Sequence, residues 1–71
     1  MKTATFHVDN DYLEDAIEQN FEINPTSFDP NCFCVTVKNV DPNALKVFTD
    51  WGDLAVHYGL QYESIVYCEI K

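Results

Sequence analysis

The run Cys32-Phe33-Cys34-Val35-Thr36-Val37 is the most apolar stretch of the chain, with Phe33, Val35 and Val37 on one alternating face and Cys32, Cys34 and Thr36 on the other. A strand of this composition belongs in the centre of a sheet, covered by neighbours. The remaining segments must therefore supply flanking strands and a covering layer. Residues 3–8 alternate as Thr, Ala, Thr, Phe, His, Val and predict a half-buried first strand with Ala4, Phe6 and Val8 inward. Residues 64–70 predict the last strand, with Val66, Cys68 and Ile70 on one face and Ile65, Tyr67 and Glu69 on the other. Between 22 and 28 the pattern is poorer, and Pro25 confines any strand there to a sheet edge because it lacks a backbone donor. Asp29, Pro30 and Asn31 read as a tight turn that brings the central strand back.

Two helices complete the pattern. Asp9, Asn10 and Asp11 supply capping side chains, Asp11 with Glu14 forms an Asp version of the capping box, and Leu13, Ala16, Ile17 and Phe21 recur at helical spacing. The spacing predicts a helix over about 12–20. Asp41 followed by Pro42 marks a second start, after which Ala44, Leu45, Phe48, Trp51, Ala55 and Tyr58 form a stripe; Gly59 suits the C-terminal cap and Gly52 a bend. The order is βαββαβ if the Pro25 segment is a strand and βαβαβ if it is not. The first resembles the ferredoxin-like sandwich, an α+β fold with two helices on one face of a small, mostly antiparallel sheet. That resemblance implies an open sheet face showing His7, Cys34, Thr36, Ile65 and Tyr67.

Seventy-one residues suit one domain, 1–71, since autonomous domains need roughly 50 or more. No apolar run approaches the roughly 20 residues that span a bilayer. The first eight residues lack the layout of a secretory signal, so a cytoplasmic location is the default expectation. Three cysteines, an odd number, argue for reduced packing residues rather than a disulfide framework. Twelve carboxylates stand against four lysines and no arginine, for a formal net charge of −8. That balance excludes most nucleic-acid binders and disfavours anionic membrane surfaces, because both need cations to meet phosphate. The signature strand of RNA-recognition modules is also not matched at 31–37, where its basic residue, its glycine and most of its stacking aromatics are missing.

Chemistry is sparse. Cys32 and Cys34, with His7 and Cys68, make a poor zinc set, because residues two apart on a regular strand are about 7 Å apart. Asp9, Asp11 and Glu14 lack the glycine and the closing glutamate of a calcium loop. His7 and His57 are the only bases near neutral pH and no context marks a nucleophile beside them, so neither catalysis nor a cofactor is expected. His7 reads as a surface strand residue, and His57 as a favourable charge at a helix end. Trp51, Tyr58 and Tyr62 read as ordinary core packing, with anchoring of a partner as the alternative.

The asymmetry of charge is the most informative functional feature. Between Lys2 and Lys38 lie 35 residues with seven carboxylates and no basic residue. Asp11, Glu14, Asp15, Glu18 and Glu22 fall at three- and four-residue spacings, which predicts one acidic face on the first helix opposite Leu13, Ile17 and Phe21. At about 1.5 Å per residue they would span about 16 Å, one carboxylate every ~4 Å, close to the ~3.4 Å phosphate spacing of a DNA strand. In size, acidity and lack of a catalytic motif the whole chain resembles small phage-encoded anti-defence proteins, the anti-CRISPR proteins and DNA mimics. The resemblance is one of class and carries no site residues. It implies an inhibitor whose partner is a basic nucleic-acid-binding protein or complex. One alternative is that the acidic face is simply solvated, as charge runs usually are; another is a self-associating module, a homodimer or regulatory domain joined through its open sheet face.

Overall fold

A computed structural model describes residues 2–71. β1 (Lys2–Asp9) leads through a 3-10 turn (Asn10–Tyr12) into α1 (Leu13–Glu18), followed by β2 (Glu22–Asn24) and β3 (Cys32–Val40). α2 (Pro42–Val47), α3 (Trp51–His57), a second 3-10 turn (Tyr62–Ser64) and β4 (Ile65–Ile70) complete the chain. The four strands form one sheet in the order β2-β3-β1-β4, every neighbouring pair antiparallel. The apolar run lies in β3, between β2 and β1, and the short strand before Pro25 is at the edge. No helix among the described residues is long and apolar enough to cross a membrane.

One face of the sheet is the core. Ala4, Phe6 and Val8 from β1, Phe33 and Val35 from β3 and Cys68 from β4 pack with Ala16, Ala44, Leu54 and Ala55, so that all three helices join the same cluster. Phe6, Phe33, Val8 and Val35 are the largest fully buried side chains, each contributing about 1.5–3 kcal/mol by its removal from water.

Local signals account for the joints. Asp29 Oδ1 accepts from the Asn31 N–H at 2.8 Å and Asp29 O from the Cys32 N–H at 3.0 Å, which makes the turn before β3. Asp41 caps α2 through the Asn43 N–H, with Pro42 in the first turn. Gly59, at φ 96°, ends α3: its N–H donates to Val56 O and the Leu60 N–H to Ala55 O.

Four expectations are corrected. The first helix is shorter than 12–20. Asp9, not Asp11, caps it, accepting the Asp11 N–H at 2.9 Å, and the first turn winds as a 3-10 turn. Asn20, at φ 63°, then closes the far end, with its own N–H on Ile17 O and the Phe21 N–H on Ala16 O. The change of phase turns Tyr12 and Ala16 into the core and leaves Ile17 59% exposed. The second helix is two helices. Phe48 is extended at φ −101° and ψ 97°, and Asp50 begins α3 by accepting the Gly52 N–H at 3.1 Å, so the break precedes Gly52.

The third correction concerns β4. His7 pairs with Tyr67, but Val8 pairs with Ile65, so Val66 is the extra residue of a bulge. Ile65 therefore packs against the core instead of joining the open face, and Val66 is exposed. Lastly, Trp51 and Tyr62 are exposed, at 44% and 53%, and are not ordinary core residues. Tyr58 does pack against the core, and its hydroxyl accepts the Asp41 N–H at 3.1 Å.

Candidate functional site

The carboxylates do not form one stripe. Glu14, Asp15 and Glu18 lie on α1, Asp11 lies in the 3-10 turn before it, and Glu22 is on β2. Glu22 also has a cation, Lys38 on the neighbouring strand at 3.4 Å, a diagonal cross-strand pair. A straight row of five at DNA-like spacing is therefore absent, because the helix ends at Glu18 and the chain reverses at Asn20.

A different acidic grouping takes its place. Asp9 at the end of β1, Asp11 and Asp15 from the first helical segment, and Glu63 from the 3-10 turn before β4 line one open recess of about 270 Å³, together with Tyr12 and Gln61. Among the described residues, the ion pairs are Glu22 with Lys38 and Glu69 with Lys71, so none of these four carboxylates is paired. Asp9 reads from the sequence only as a cap, and it is one. Glu63 has no local signal at all. Its place follows from topology: β4 runs antiparallel to β1, so the residues entering β4 stand beside those leaving β1.

The open face of the sheet carries a second grouping, built from Thr5, His7, Cys34, Thr36, Tyr67 and Glu69, paired across β3, β1 and β4. His7 is buried at 7% exposure, contrary to its reading as a surface residue, because the segment after Pro25 folds over it. Ser27 Oγ lies 2.7 Å from His7 Nδ1, and the Phe28 ring meets the imidazole edge-on at a centroid distance of 4.9 Å. Tyr67 completes the cluster, 5.5 Å from His7 and 5.7 Å from Phe28, and Trp51 abuts Tyr67 at 5.0 Å and 83°. Phe28 is 66% exposed. His7, Phe28, Tyr67 and Glu69 surround an open recess of about 260 Å³. Phe28 was legible only as a lone aromatic in a weakly patterned segment before a tight turn, and the turn is what returns it onto the sheet.

Cys34 Sγ stands 3.4 Å from His7 Nδ1, the pairing from which thiol nucleophiles are made. Here the thiol donates to the Thr26 carbonyl at 3.0 Å under the folded-over segment. Burial first, and the Glu69 carboxylate second, push its pKa up against the lowering hydrogen bond with Ser27. A thiol held neutral and covered is a packing group. Cys32 and Cys68 are likewise free and buried, with their thiols shifted up chiefly by burial, Cys68 to about 11.

The chain matches no protein-family model, no curated protein and no solved structure.

Proposed function

We propose that this chain is a non-catalytic, acidic protein-binding inhibitor that occupies a basic, nucleic-acid-binding surface of its partner, in the manner of anti-CRISPR or anti-restriction proteins. The observation that carries the reading is the recess at the end of the sheet, where Asp9, Asp11, Asp15 and Glu63 arrive from three separate segments without an ion-pair partner among the described residues. Carboxylates gathered this way repel one another and destabilise the fold, yet they create the field that draws a basic surface in. Glu14 and Glu18, exposed on α1, extend that field. Glu22, already paired to Lys38, contributes less. As scaffold we infer the ferredoxin-like sandwich, supported by the antiparallel β2-β3-β1-β4 order and by helices in both crossovers.

The test is capture from a bacterial lysate at low salt, followed by competition with DNA and RNA. Wild type is compared with Asp11→Asn/Asp15→Asn/Glu63→Gln. The reading requires a basic nucleic-acid-binding partner that the variant loses, that moderate salt releases, and that loses its own nucleic acid when this chain binds. Equal capture by wild type and variant, insensitive to salt, would overturn it.

A second reading, self-association through the open face, draws support from the exposure of Phe28, Trp51 and Tyr67 in one region. Sedimentation at low and high salt separates the two, since an apolar dimer of a −8 chain should tighten as salt screens its charge.

A further inference from the structure

We propose that the aromatic recess on the open sheet face is a receptor for one cationic side chain, arginine or lysine, presented by the basic partner. The proposal rests on the acidic-inhibitor reading and adds to it a specific anchoring point, separate from the carboxylates at the end of the sheet.

The geometry is that of a partial aromatic cage. Phe28 and Tyr67 stand at 84° to each other with centroids 5.7 Å apart, forming two walls of a corner. The imidazole of His7 lies within 4.9 Å of one and 5.5 Å of the other and makes the floor. Trp51 meets Tyr67 at 5.0 Å and 83° and braces that ring without lining the recess itself. A cation is held when it lies within about 6 Å of ring centroids, and rings this close allow one cation to approach more than one of them. Glu69 closes the perimeter with a carboxylate.

Charge selects the occupant. Nucleic-acid bases also stack on aromatic rings, but their phosphates would meet a chain of net charge −8 with no arginine. A second copy would bring the same surplus of carboxylates to the contact. An ammonium or guanidinium meets attraction both from the rings and from Glu69. That carboxylate already holds one cation, Lys71 of the same chain at 3.3 Å, in a pair exposed on both sides. Exposed pairs of this kind are weak and exchangeable, so an incoming guanidinium with two parallel donors displaces the lysine.

Two probes test the site, read by amide spectra and by the indole signal of Trp51, the chain's single tryptophan. Tetramethylammonium chloride is titrated against sodium chloride at equal ionic strength. The proposal expects saturable shifts at Trp51, Tyr67 and Phe28 with the first salt alone. Identical responses to the two salts would overturn it. Hexa-arginine is then titrated into wild type, Tyr67→Ala, Phe28→Ala and the exposed, conservative Glu69→Gln, each checked for its native amide pattern. Binding should weaken roughly two- to fivefold in the ring variants, and also in Glu69→Gln. If hexa-arginine binds Tyr67→Ala, Phe28→Ala and wild type alike but fails on Asp11→Asn/Asp15→Asn/Glu63→Gln, the recess is not the receptor and the acidic-surface reading survives alone. If it binds wild type no better than a neutral hexapeptide does, both fall.

Discussion

The ring of Tyr62 occupies the space that a side chain on Gly52 would need: a Cβ there would lie 2.4 Å from Cε2 and 2.5 Å from Cδ2. Gly52 is in the first turn of α3, where alanine is ordinarily the better residue, by up to roughly 1 kcal/mol. The close approach reverses that preference. Gly52→Ala is expected to lower the melting temperature in the wild-type background, because the ring must swing away and release Asp50. In a Tyr62→Ala background the same change should stabilise, by about 0.5–1 kcal/mol. Urea denaturation of the four proteins checks this, and a sign that does not switch would remove Tyr62 as the reason for glycine at 52.

The same contact sets a pH dependence. Asp50 Oδ2 accepts the Tyr62 hydroxyl at 2.7 Å and Oδ1 accepts the Gly52 N–H, and these two hydrogen bonds, the first the stronger, hold its carboxyl below the usual range. A depressed carboxyl stabilises the fold above the unfolded pKa, about 3.9, and that stabilisation disappears as pH falls through the folded value. The partner hydroxyl is shifted up, so its contribution is present below about 10 and fades as pH rises through its folded pKa. In Tyr62→Phe, the Asp50 side-chain carbon should titrate at higher pH than in wild type, without reaching the ordinary value, because the Gly52 bond remains. An unchanged titration would mean that the hydroxyl does not govern Asp50.

What was legible in the sequence divides along the range of the interactions involved. Asp41-Pro42, Asp29-Pro30-Asn31 and Gly59 act on their own neighbours, and each does in the structure what its residue type dictates. Apolar alternation placed Phe6 and Phe33 inside and located β3 in the sheet centre for the same reason. The phase of α1 was not legible, since it depends on Asp9 opening a 3-10 turn and on Tyr12 reaching the end of α3, where its hydroxyl meets Gly59 O at 3.4 Å. Nor was the bulge at Val66, which needs knowledge of the partner strand. Of the five acids singled out, Asp11 and Asp15 join the recess; Asp9, outside that set, enters it as the cap next to Asp11, and Glu63 reaches it only through the β1–β4 pairing.

Ser27 is the clasp of the segment that covers His7. Its hydroxyl lies 2.7 Å from His7 Nδ1 and accepts the Asp29 N–H at 3.4 Å, while Cys34 holds Thr26 O from below. Ser27→Ala should cost about 1 kcal/mol, leaving a nearly buried imidazole without that partner. Amide exchange should accelerate at residues 26–31 more than in β1 or β3, because the loss is local. Uniform acceleration across the sheet would show that the segment does not open separately.

Cys68 provides a second, alkaline test of the core. It is 3% exposed, opposite Phe6 on the helix-covered face, and burial with the neighbouring Glu69 carboxylate raises its thiol to about 11. A raised thiol favours the neutral form in the folded state. Its contribution is complete below the unfolded pKa of about 8.5 and is lost as pH rises through about 11. Cys32 and Cys34 shift in the same direction, so the wild-type protein should weaken progressively above about pH 8.5. Cys68→Ala should be less stable at pH 7 by roughly 1 kcal/mol from the cavity it leaves, yet lose less on going to pH 10.5. Urea midpoints at pH 7, 9 and 10.5 decide the matter. Curves for the two proteins that stay parallel over that range would show that folding does not raise the Cys68 thiol and that the pH dependence arises elsewhere.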